Sequence, residues 1–317
     1  MSAPNDLVIR FRGTRGSIPS PAAENMRYGG NTSCVEIRLG SELLILDAGS
    51  GLRRLGEDLL RAAGEAPIDA SLLLSHAHWD HIQGLPFFMP GYRPQNSIRI
   101  FTAFGKSERL HRALTEQMSP LHFPVGLNQM VGLRSPQELQ PAATHVGSFC
   151  VRTIGLNHPG GCTGFRIEAN GRSIAYLPDH EPYGGELDDV SRRSYETLIK
   201  FAGEVDVLIL DTQYTADEYR HRVGWGHGCL PESVRLAMRA GAKRLLLFHH
   251  DPSHADTQID SMVEEARSLA FGKTMAIEAA AEDAVLNLSR DCSSTATPCA
   301  GMEMPVTPPG FVEATKR

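Results

Sequence analysis

Short apolar runs alternate with clusters of Gly, Pro, Asn and Asp along most of the chain. Runs of this length between such residues predict β-strands, and the almost continuously apolar ones predict strands that are covered on both faces. The predicted strands are 7–11, 34–39, 43–48, 70–75, 97–103, 149–156, 164–169, 172–178, 205–211 and 242–249.

Helical periodicity appears between these strands. Apolar side chains recur every three or four residues over 52–60 and 259–266, which predicts two amphipathic helices. A third helix is predicted over 231–240, because Pro231 suits a first helical turn and Gly241 suits a C-terminal stop. The early order of three strands and then a helix indicates an α/β protein whose sheets are not purely parallel.

The organisation of the chain is simple. No change of composition divides residues 6–290, which predicts a single large domain. Residues 291–317 are rich in Ser, Thr, Pro and Gly without periodicity, so we expect a disordered tail. Within the domain, residues 105–148 combine one amphipathic helix (107–118) with a loop interrupted by proline, which predicts an insertion or lid.

Charge and composition narrow the class of protein. The 31 Lys and Arg residues against 37 Asp and Glu give a net charge of −6, which argues against nonspecific nucleic-acid binding or a membrane-surface role. No apolar stretch approaches the roughly 20 residues of a membrane helix, and the first residues lack a signal-peptide pattern. The six cysteines include no C-x-x-C pair, which suits a reducing compartment, so we expect a cytoplasmic protein.

The 13 histidines are unevenly distributed, and three of them lie together directly after the strand at 70–75. There His76, His78, Asp80 and His81 form the pattern H-x-H-x-D-H. Imidazoles and a carboxylate are ligands that suit a divalent metal such as zinc. A polar loop whose histidines only form hydrogen bonds is the alternative, but four ligand-type side chains in six residues favour a metal site.

Three further strands end in candidate ligands. His158 follows the strand at 149–156, and Asp179 and His180 follow the strand at 172–178. His249 and His250 end the strand at 242–249. Functional side chains in layered α/β proteins commonly lie where a strand meets a loop, so this repeated placement predicts one shared site.

With these residues the sequence resembles the metallo-β-lactamase-fold hydrolases over most of residues 6–290. The H-x-H-x-D-H motif is matched in full, and the later His, Asp and His follow in the family's order. The resemblance implies a four-layer αβ/βα sandwich, in which two mixed sheets are flanked by helices and a two-metal site lies at one edge.

The resemblance also implies a role for each candidate ligand. His76, His78 and His158 would hold the first metal, Asp80, His81 and His249 the second, and Asp179 would bridge them. Asp47, in the segment LLILDAGSG, would support the site from behind. His250 competes with His249 for its role, because the histidine is doubled. The expected cofactors are two divalent ions, Zn²⁺ in the first place, with Mn²⁺ and iron as alternatives.

A glycine-rich segment, GWGHG at 224–228, resembles the phosphodiesterase branch of this family, which includes ribonuclease Z, phosphoribosyl cyclic phosphodiesterase and cyclic-nucleotide phosphodiesterases. In that branch a histidine at this place contacts the scissile phosphate, which implies a catalytic role for His227. A protonated imidazole can stabilise phosphoryl charge or protonate a leaving oxygen. Ribonuclease Z usually has Ser-Thr after this histidine, whereas Gly228 and Cys229 follow here, so an incidental histidine on a loop stays the alternative.

The amino-terminal segments 13–19 and 28–34 are also rich in glycine. Glycines allow a loop to approach a site closely, so Arg15 and Asn31 are candidates for a phosphate or a ligand histidine. A plain hairpin connection is the alternative. His180 and His250 are further candidates for substrate contact.

Together these features predict a two-metal hydrolase that cleaves a phosphodiester with metal-activated hydroxide, Asp80 orienting the nucleophile and His227 acting on the leaving group. We expect a small cyclic phosphodiester such as a cyclic nucleotide. The alternatives are a ribonuclease Z-like tRNA 3′ endonuclease, a lactonase or thioesterase, and a non-enzymatic binding module on the same fold. The acidic charge and the lack of a long basic arm disfavour tRNA but leave nucleic acid open. A homodimer also stays open, and no membrane partner is expected.

Overall fold

The structure, a computed structural model, describes residues 6–103, 105–140, 142–182 and 188–289. The tail at 291–317, for which the sequence predicts disorder, lies outside the described residues. Among the described helices, none is both long enough and apolar enough to cross a membrane.

The described residues form two mixed seven-stranded sheets. The strands in chain order are β1 (Leu7–Gly13), β2 (Cys34–Leu39), β3 (Glu42–Leu46), β4 (Asp69–Leu73), β5 (Ser97–Ala103), β6 (Gln137–Leu139), β7 (Thr144–Val146), β8 (Phe149–Leu156), β9 (Cys162–Ala169), β10 (Arg172–Leu177), β11 (Val207–Asp211), β12 (Arg244–Phe248), β13 (Ala276–Ala279) and β14 (Val285–Leu288). The first sheet has the order β14-β1-β2-β3-β4-β5-β6, and the second has the order β13-β12-β11-β10-β9-β8-β7. Strands β3 to β6 are parallel, as are β10 to β13, whereas the other pairings are antiparallel.

Seven α-helices accompany the sheets in the described part of the chain. They are α1 (Gly51–Ala63), α2 (Trp79–Ile82), α3 (Ser107–Gln117), α4 (Asp189–Phe201), α5 (Ala216–Tyr219), α6 (Leu230–Ala240) and α7 (Asp256–Leu269). Short 3₁₀ turns occupy Ala23–Asn25, Leu85–Phe87, Met89–Tyr92 and Leu127–Gln129. The start of α6 has proline in its first turn, and Gly241 ends the helix at a φ of 68°, a left-handed conformation that favours glycine.

Three apolar layers hold the fold together. Phe11, Phe165 and Phe248 belong to the layer between the two sheets. Helices α1 and α3 pack on the outer face of the first sheet, and α4, α6 and α7 pack on the outer face of the second. Each fully buried side chain of this size contributes about 1.5–3 kcal/mol. The layer order is therefore helix, sheet, sheet, helix, which confirms the predicted αβ/βα sandwich.

All ten predicted strands and the four predicted helices, including the one at 107–118, are present. In the described part of segment 105–148, β6 joins the first sheet and β7 joins the second. Helix α3 also buries Leu110 and Leu114 in the core. The segment thus contributes to both sheets and to their cover, and its role as an insertion or lid stays a prediction.

Candidate active site

The first sheet supplies four candidate ligands from one short connection. After β4 the chain has neither helix nor strand until His78, which is the N-cap of α2 and has an extended backbone. His76 and His78 therefore precede the helix, whereas Asp80 and His81 lie in its first turn. The change of backbone conformation allows closely spaced side chains to reach one cleft.

The second sheet supplies the remaining three candidate ligands, each directly after a strand. His158 follows β8, Asp179 follows β10 and His249 follows β12. All three side chains are buried. His249 has a φ of 60°, an uncommon value for a residue other than glycine, and such strained positions concentrate at functional sites.

These seven side chains form two clusters whose ligand atoms lie within 4.8 Å of one another. The first cluster is His76, His78, His158 and Asp179, and the second is Asp80, His81, Asp179 and His249. Asp179 belongs to both. Its Oδ2 lies 3.6 Å from His76 Nε2 and 3.7 Å from His158 Nε2, whereas its Oδ1 lies 2.9 Å from His81 Nε2 and 3.4 Å from His249 Nε2. Each carboxylate oxygen thus faces a different cluster.

The donor atoms of both clusters fit divalent cations. Within the described residues, His76 Nε2 and both oxygens of Asp179 are buried and accept no hydrogen bond of good geometry. A buried polar atom without a partner costs about 1–3 kcal/mol, which a coordinated cation would offset. Imidazole nitrogen and carboxylate oxygen are ligands of zinc, manganese and iron alike. The residues therefore fit a two-metal site.

Burial and the charges inside the cleft shift the pKa values of two ligand histidines in opposite directions. Burial lowers the pKa of His158 to about 4. Burial also disfavours a protonated His249, but the nearby charge of Asp179 and the hydrogen bond to Asp80 outweigh it and raise its pKa to about 9. The carboxylates therefore draw positive charge into this buried cleft, which is the electrostatic condition for holding cations.

Most ligand histidines are oriented from behind through Nδ1, which directs Nε2 into the cleft. Asp47 Oδ2 lies 2.8 Å from Nδ1 of His81, and Gln213 Oε1 lies 2.9 Å from Nδ1 of His249. The carbonyl oxygen of Gly226 lies 2.8 Å from Nδ1 of His158. The structure thus places Asp47 behind the site, where the resemblance implies it, and adds Gln213, which the sequence alone did not indicate.

His227 lies at the edge of both clusters and has a buried carboxylate behind it. Its Nδ1 is 3.1 Å from Oδ2 of Asp211 and 3.8 Å from Oδ2 of Asp179, and its ring stacks on that of His249 at a centroid distance of 4.9 Å. Asp211 is the last residue of β11 and is fully buried. The sequence prediction missed Asp211, although it ends an apolar strand as the other site residues do.

The sequence profile of the β-lactamase superfamily domain matches residues 43–250, which include every candidate ligand. The chain belongs to this superfamily. The match confirms the predicted metallo-β-lactamase fold and the assignment of the chain to its metal-dependent hydrolases.

Other comparisons agree with this superfamily. Ribonuclease Z of Thermoplasma acidophilum is 25% identical over 303 residues, an alignment that covers 83% of this chain and 92% of that protein. The metallo-β-lactamase fold protein YhfI of Bacillus subtilis superposes with a TM-score of 0.66 at 21% identity, covering 89% of this chain and 99% of that one. Yeast PDE1 superposes with a TM-score of 0.65 at 15% identity, covering 91% of this chain and 100% of that one.

In this member of the superfamily, the loop around His227 can approach the site only because glycines flank the histidine. A Cβ atom on Gly226 would lie 2.5 Å from Nδ1 of His158, and the residue has a φ of 92°. A Cβ atom on Gly228 would lie 2.1 Å from the carbonyl oxygen of Asp211. These contacts leave no room for a side chain at either position.

The amino-terminal turn closes over the second cluster in a similar way. A Cβ atom on Gly16 would lie 2.4 Å from the His249 ring, and the backbone N–H of Ser17 donates to Asp80 Oδ2 at 2.8 Å. The glycine-rich turn thus lies against the site, but through its backbone rather than through the side chain of Arg15.

Arg15 is one of four residues that the sequence suggested as substrate contacts and whose side chains do not belong to the clusters. Its guanidinium group is fully buried and donates to backbone carbonyl groups of Gly29, Asp251 and His254 at 2.6–3.0 Å. The side chain therefore fixes two neighbouring loop segments, one at Gly29 and one at 251–254, and is not directed at the clusters. This is a correction of the suggested phosphate contact.

The side chains of the other three residues suggested as substrate contacts also bind to other parts of the protein. Asn31 donates from Nδ2 to the carboxylate of Glu282 at 2.9 Å. His180 is buried, and its Nδ1 accepts a hydrogen bond from a backbone N–H. His250 is buried with Nε2 2.9 Å from the carbonyl oxygen of Ala280, so its neighbour in sequence, and not His250, reaches the second cluster. None of the three belongs to the described metal-type clusters.

Glu181, two residues after the shared aspartate, holds the loop that carries His227. Its Oε1 accepts hydrogen bonds from Gly224 N at 2.6 Å and Tyr219 Oη at 2.9 Å, and its Oε2 accepts one from Gly226 N at 2.7 Å. Gly226 in turn contacts His158 through its carbonyl oxygen. One carboxylate thus positions the loop relative to the first cluster.

We expect Glu181→Gln to lower kcat roughly tenfold or more, since one oxygen becomes an NH₂ group that faces N–H or O–H donors and cannot accept from them. The free energy of unfolding should change much less. Steady-state kinetics, combined with amide hydrogen exchange of residues 219–228, checks this expectation.

Tyr219→Phe is the matched control, because it removes only one of the three hydrogen bonds and leaves both glycine N–H groups bound. It should lower kcat by a smaller factor. Equal kcat values and equal exchange for Glu181→Gln and the unmodified protein would contradict the positioning role.

Proposed function

We propose that the protein is a two-metal phosphodiester hydrolase, with residues 6–290 as its catalytic domain. The main observation that supports this proposal is the position of His227. It lies beside Asp179, the carboxylate shared by two metal-type clusters, and is paired with Asp211. This position supports a role for His227 as proton donor to the leaving oxygen of a phosphoryl group held at the clusters. The relatives named ribonuclease Z support a phosphodiester as the substrate.

We propose that the two divalent ions are Zn²⁺, with Mn²⁺ or iron as alternatives. When bound, such ions stabilise phosphoryl charge as Lewis acids and lower the pKa of a water molecule. One ion would be held by His76, His78 and His158. The other ion would be held by Asp80, His81 and His249. Asp179 would bind both ions.

The remaining chemistry belongs to side chains of the chain itself. Asp80 is fixed by the N–H of Ser17 and lies 3.0 Å from His249 Nε2, so its carboxylate is placed to orient the attacking water. His227 uses Nδ1 toward Asp211, which leaves Nε2 as the nitrogen that contacts substrate and gives its proton to the leaving oxygen. Asp211 stabilises the imidazolium before that transfer.

We propose a small cyclic phosphodiester, such as a cyclic nucleotide, as the substrate. The net charge of −6 disfavours a long nucleic acid, whose backbone needs basic contacts. A cavity of about 400 Å³ beside His227 is of the size that small ligands occupy. A cytoplasmic location stays a prediction of the sequence, and a homodimer stays open.

Ribonuclease Z-like cleavage of a tRNA precursor is the second candidate. The Thermoplasma acidophilum relative favours it, because the similarity extends over 83% of this chain. It differs from the first candidate in the size of the substrate and not in the proposed roles of the site residues.

A metal analysis combined with a substrate panel tests the proposal. The panel comprises 2′,3′- and 3′,5′-cyclic nucleotides, phosphoribosyl cyclic phosphate, a tRNA precursor, a lactone and a thioester. We expect about two metal ions per chain and turnover of a cyclic nucleotide. Turnover of the tRNA precursor alone would favour the second candidate, and turnover of only the lactone or thioester would refute both.

A further inference from the structure

The cavity beside His227 has a wall that neither the metal clusters nor the proposed proton transfer uses. Residues Tyr214, Arg222 and Trp225 form this wall, while Gln213 and Ser253 contribute to the rest of the lining. The cavity therefore joins the proposed position of the scissile phosphate to a surface of aromatic and polar groups.

The wall has an unusual composition for an exposed surface. Trp225 is 61% exposed, although indole is among the largest apolar side chains, whereas Tyr214 is only 2% exposed. The guanidinium group of Arg222 lies 4.9 Å from the ring centroid of Tyr214 and 6.0 Å from that of Trp225. Aromatic rings and arginine planes together are the surfaces on which nucleic-acid bases stack.

Apart from Pro252, the remaining lining is polar and is held by hydrogen bonds. Gln213 Nε2 lies 3.3 Å from both Tyr214 Oη and Asp251 Oδ2 and 3.4 Å from Ser17 Oγ, while its Oε1 contacts His249. Donors and acceptors in such an arrangement suit sugar hydroxyl groups and base edges.

The proposed reaction, and not charge, sets the direction in which a ligand would lie. The lining carries one carboxylate, Asp251, and one guanidinium group, Arg222, whose charges act on a phosphate in opposite directions. The proposed hydrolysis needs the scissile phosphate at His227 and the metal-type clusters. The uncharged part of the ligand would then extend along the cavity toward Trp225.

We propose that this cavity is a nucleoside subsite, in which Trp225 and Arg222 form the surface that stacks on the base of the substrate. The proposal rests on the proposed phosphodiester hydrolysis and narrows its substrate to nucleotides. A cyclic phosphodiester of ribose without a base gains nothing from this wall.

Matched substrates and a Trp225→Ala variant test the subsite in the full-length holoenzyme. The substrates are 3′,5′-cyclic AMP and methyl β-D-ribofuranoside 3,5-cyclic phosphate, which differ in having a base or a methoxy group. Loss of one base-stacking ring typically costs about 1–3 kcal/mol, so kcat/KM for cyclic AMP should fall about 5- to 150-fold, mainly through KM. The value for the methyl riboside should not change.

Phe271→Ala is the control, since Phe271 is 92% exposed, follows α7 and is absent from the cavity lining. It should leave both substrates unaffected. Equal loss for both substrates in Trp225→Ala, or no loss for either, would overturn the subsite.

A binding measurement gives a second result that does not depend on turnover. Trp79 and Trp225 are the two tryptophans of the chain, so Trp79→Phe makes Trp225 the sole source of indole fluorescence. Adenosine 5′-monophosphate should quench this emission, whereas ribose 5-phosphate at the same concentration should not. Equal responses to both ligands would refute the stacked base.

The two measurements also separate failure of the subsite from failure of the proposed function. Selective quenching by adenosine monophosphate without turnover of any phosphodiester would support the subsite and refute the hydrolase. Similar kcat/KM values for the two cyclic esters, unchanged in Trp225→Ala, would support the hydrolase and refute the subsite.

Discussion

Replacing Asp179 with Asn is expected to reduce bound metal from about two ions per chain to one or fewer and to lower phosphodiester turnover by more than about a hundredfold. Residues that only orient a metal ligand commonly contribute about 10- to 100-fold, and Asp179 offers one oxygen to each cluster itself. Asparagine keeps the shape but removes the negative charge, and its NH₂ group cannot bind a cation. Metal analysis of the purified variant and its turnover number check both parts.

Asp69→Asn is the matched control for this substitution. Asp69 begins β4, at the end of the strand opposite to the site, and its side chain is 68% exposed beside Arg99. This variant should keep the metal content and the turnover of the unmodified protein, because exposed ion pairs contribute little. Two tightly bound ions and full turnover in Asp179→Asn would refute the shared-ligand role.

Replacing His227 with Ala is expected to lower kcat for an alkyl phosphodiester by about 10²- to 10⁴-fold, the usual contribution of a positioned proton donor. The metal content should not change, because the ligands proposed for both metals remain. Asp211→Asn should lower kcat in the same direction by a smaller factor, since it removes only the carboxylate that faces His227 Nδ1 at 3.1 Å.

The leaving group provides the sharper measurement for His227. The p-nitrophenolate released from bis(p-nitrophenyl) phosphate leaves without a proton, so the His227→Ala variant should lose far less activity on this substrate than on an alkyl diester. His145→Ala, at an exposed position on β7, serves as the histidine control and should affect neither substrate. The same loss on both substrates would argue against proton donation.

The sequence predicted the strands well because most of them are buried on two faces and are therefore almost continuously apolar. Four short strands, β6, β7, β13 and β14, were missed, since each exposes part of its side chains and shows no such run. Helix α4 was also missed, because its buried side chains, Leu198, Ile199 and Phe201, all lie in its last four residues and span only one turn.

The candidate ligands could be predicted because histidine and aspartate are conspicuous where an apolar strand ends. Their supporting residues have no such signal. Glu181 and Gln213 are ordinary polar residues in loops, and their importance comes from partners that lie 30 to 45 positions away along the chain. Only the three-dimensional structure shows that Arg15, which resembles a phosphate contact in the sequence, faces backbone carbonyl groups instead.

Each metal-type cluster takes two residues from the connection after β4 and two from the ends of second-sheet strands. Neither sheet alone offers more than two ligands to either ion, so bound metals would cross-link the two halves of the sandwich. Metal affinity then depends on how the halves pack, through side chains such as Phe165 and Phe248 between the sheets. A cavity made in that layer would be measured as weaker metal retention, although it removes no ligand.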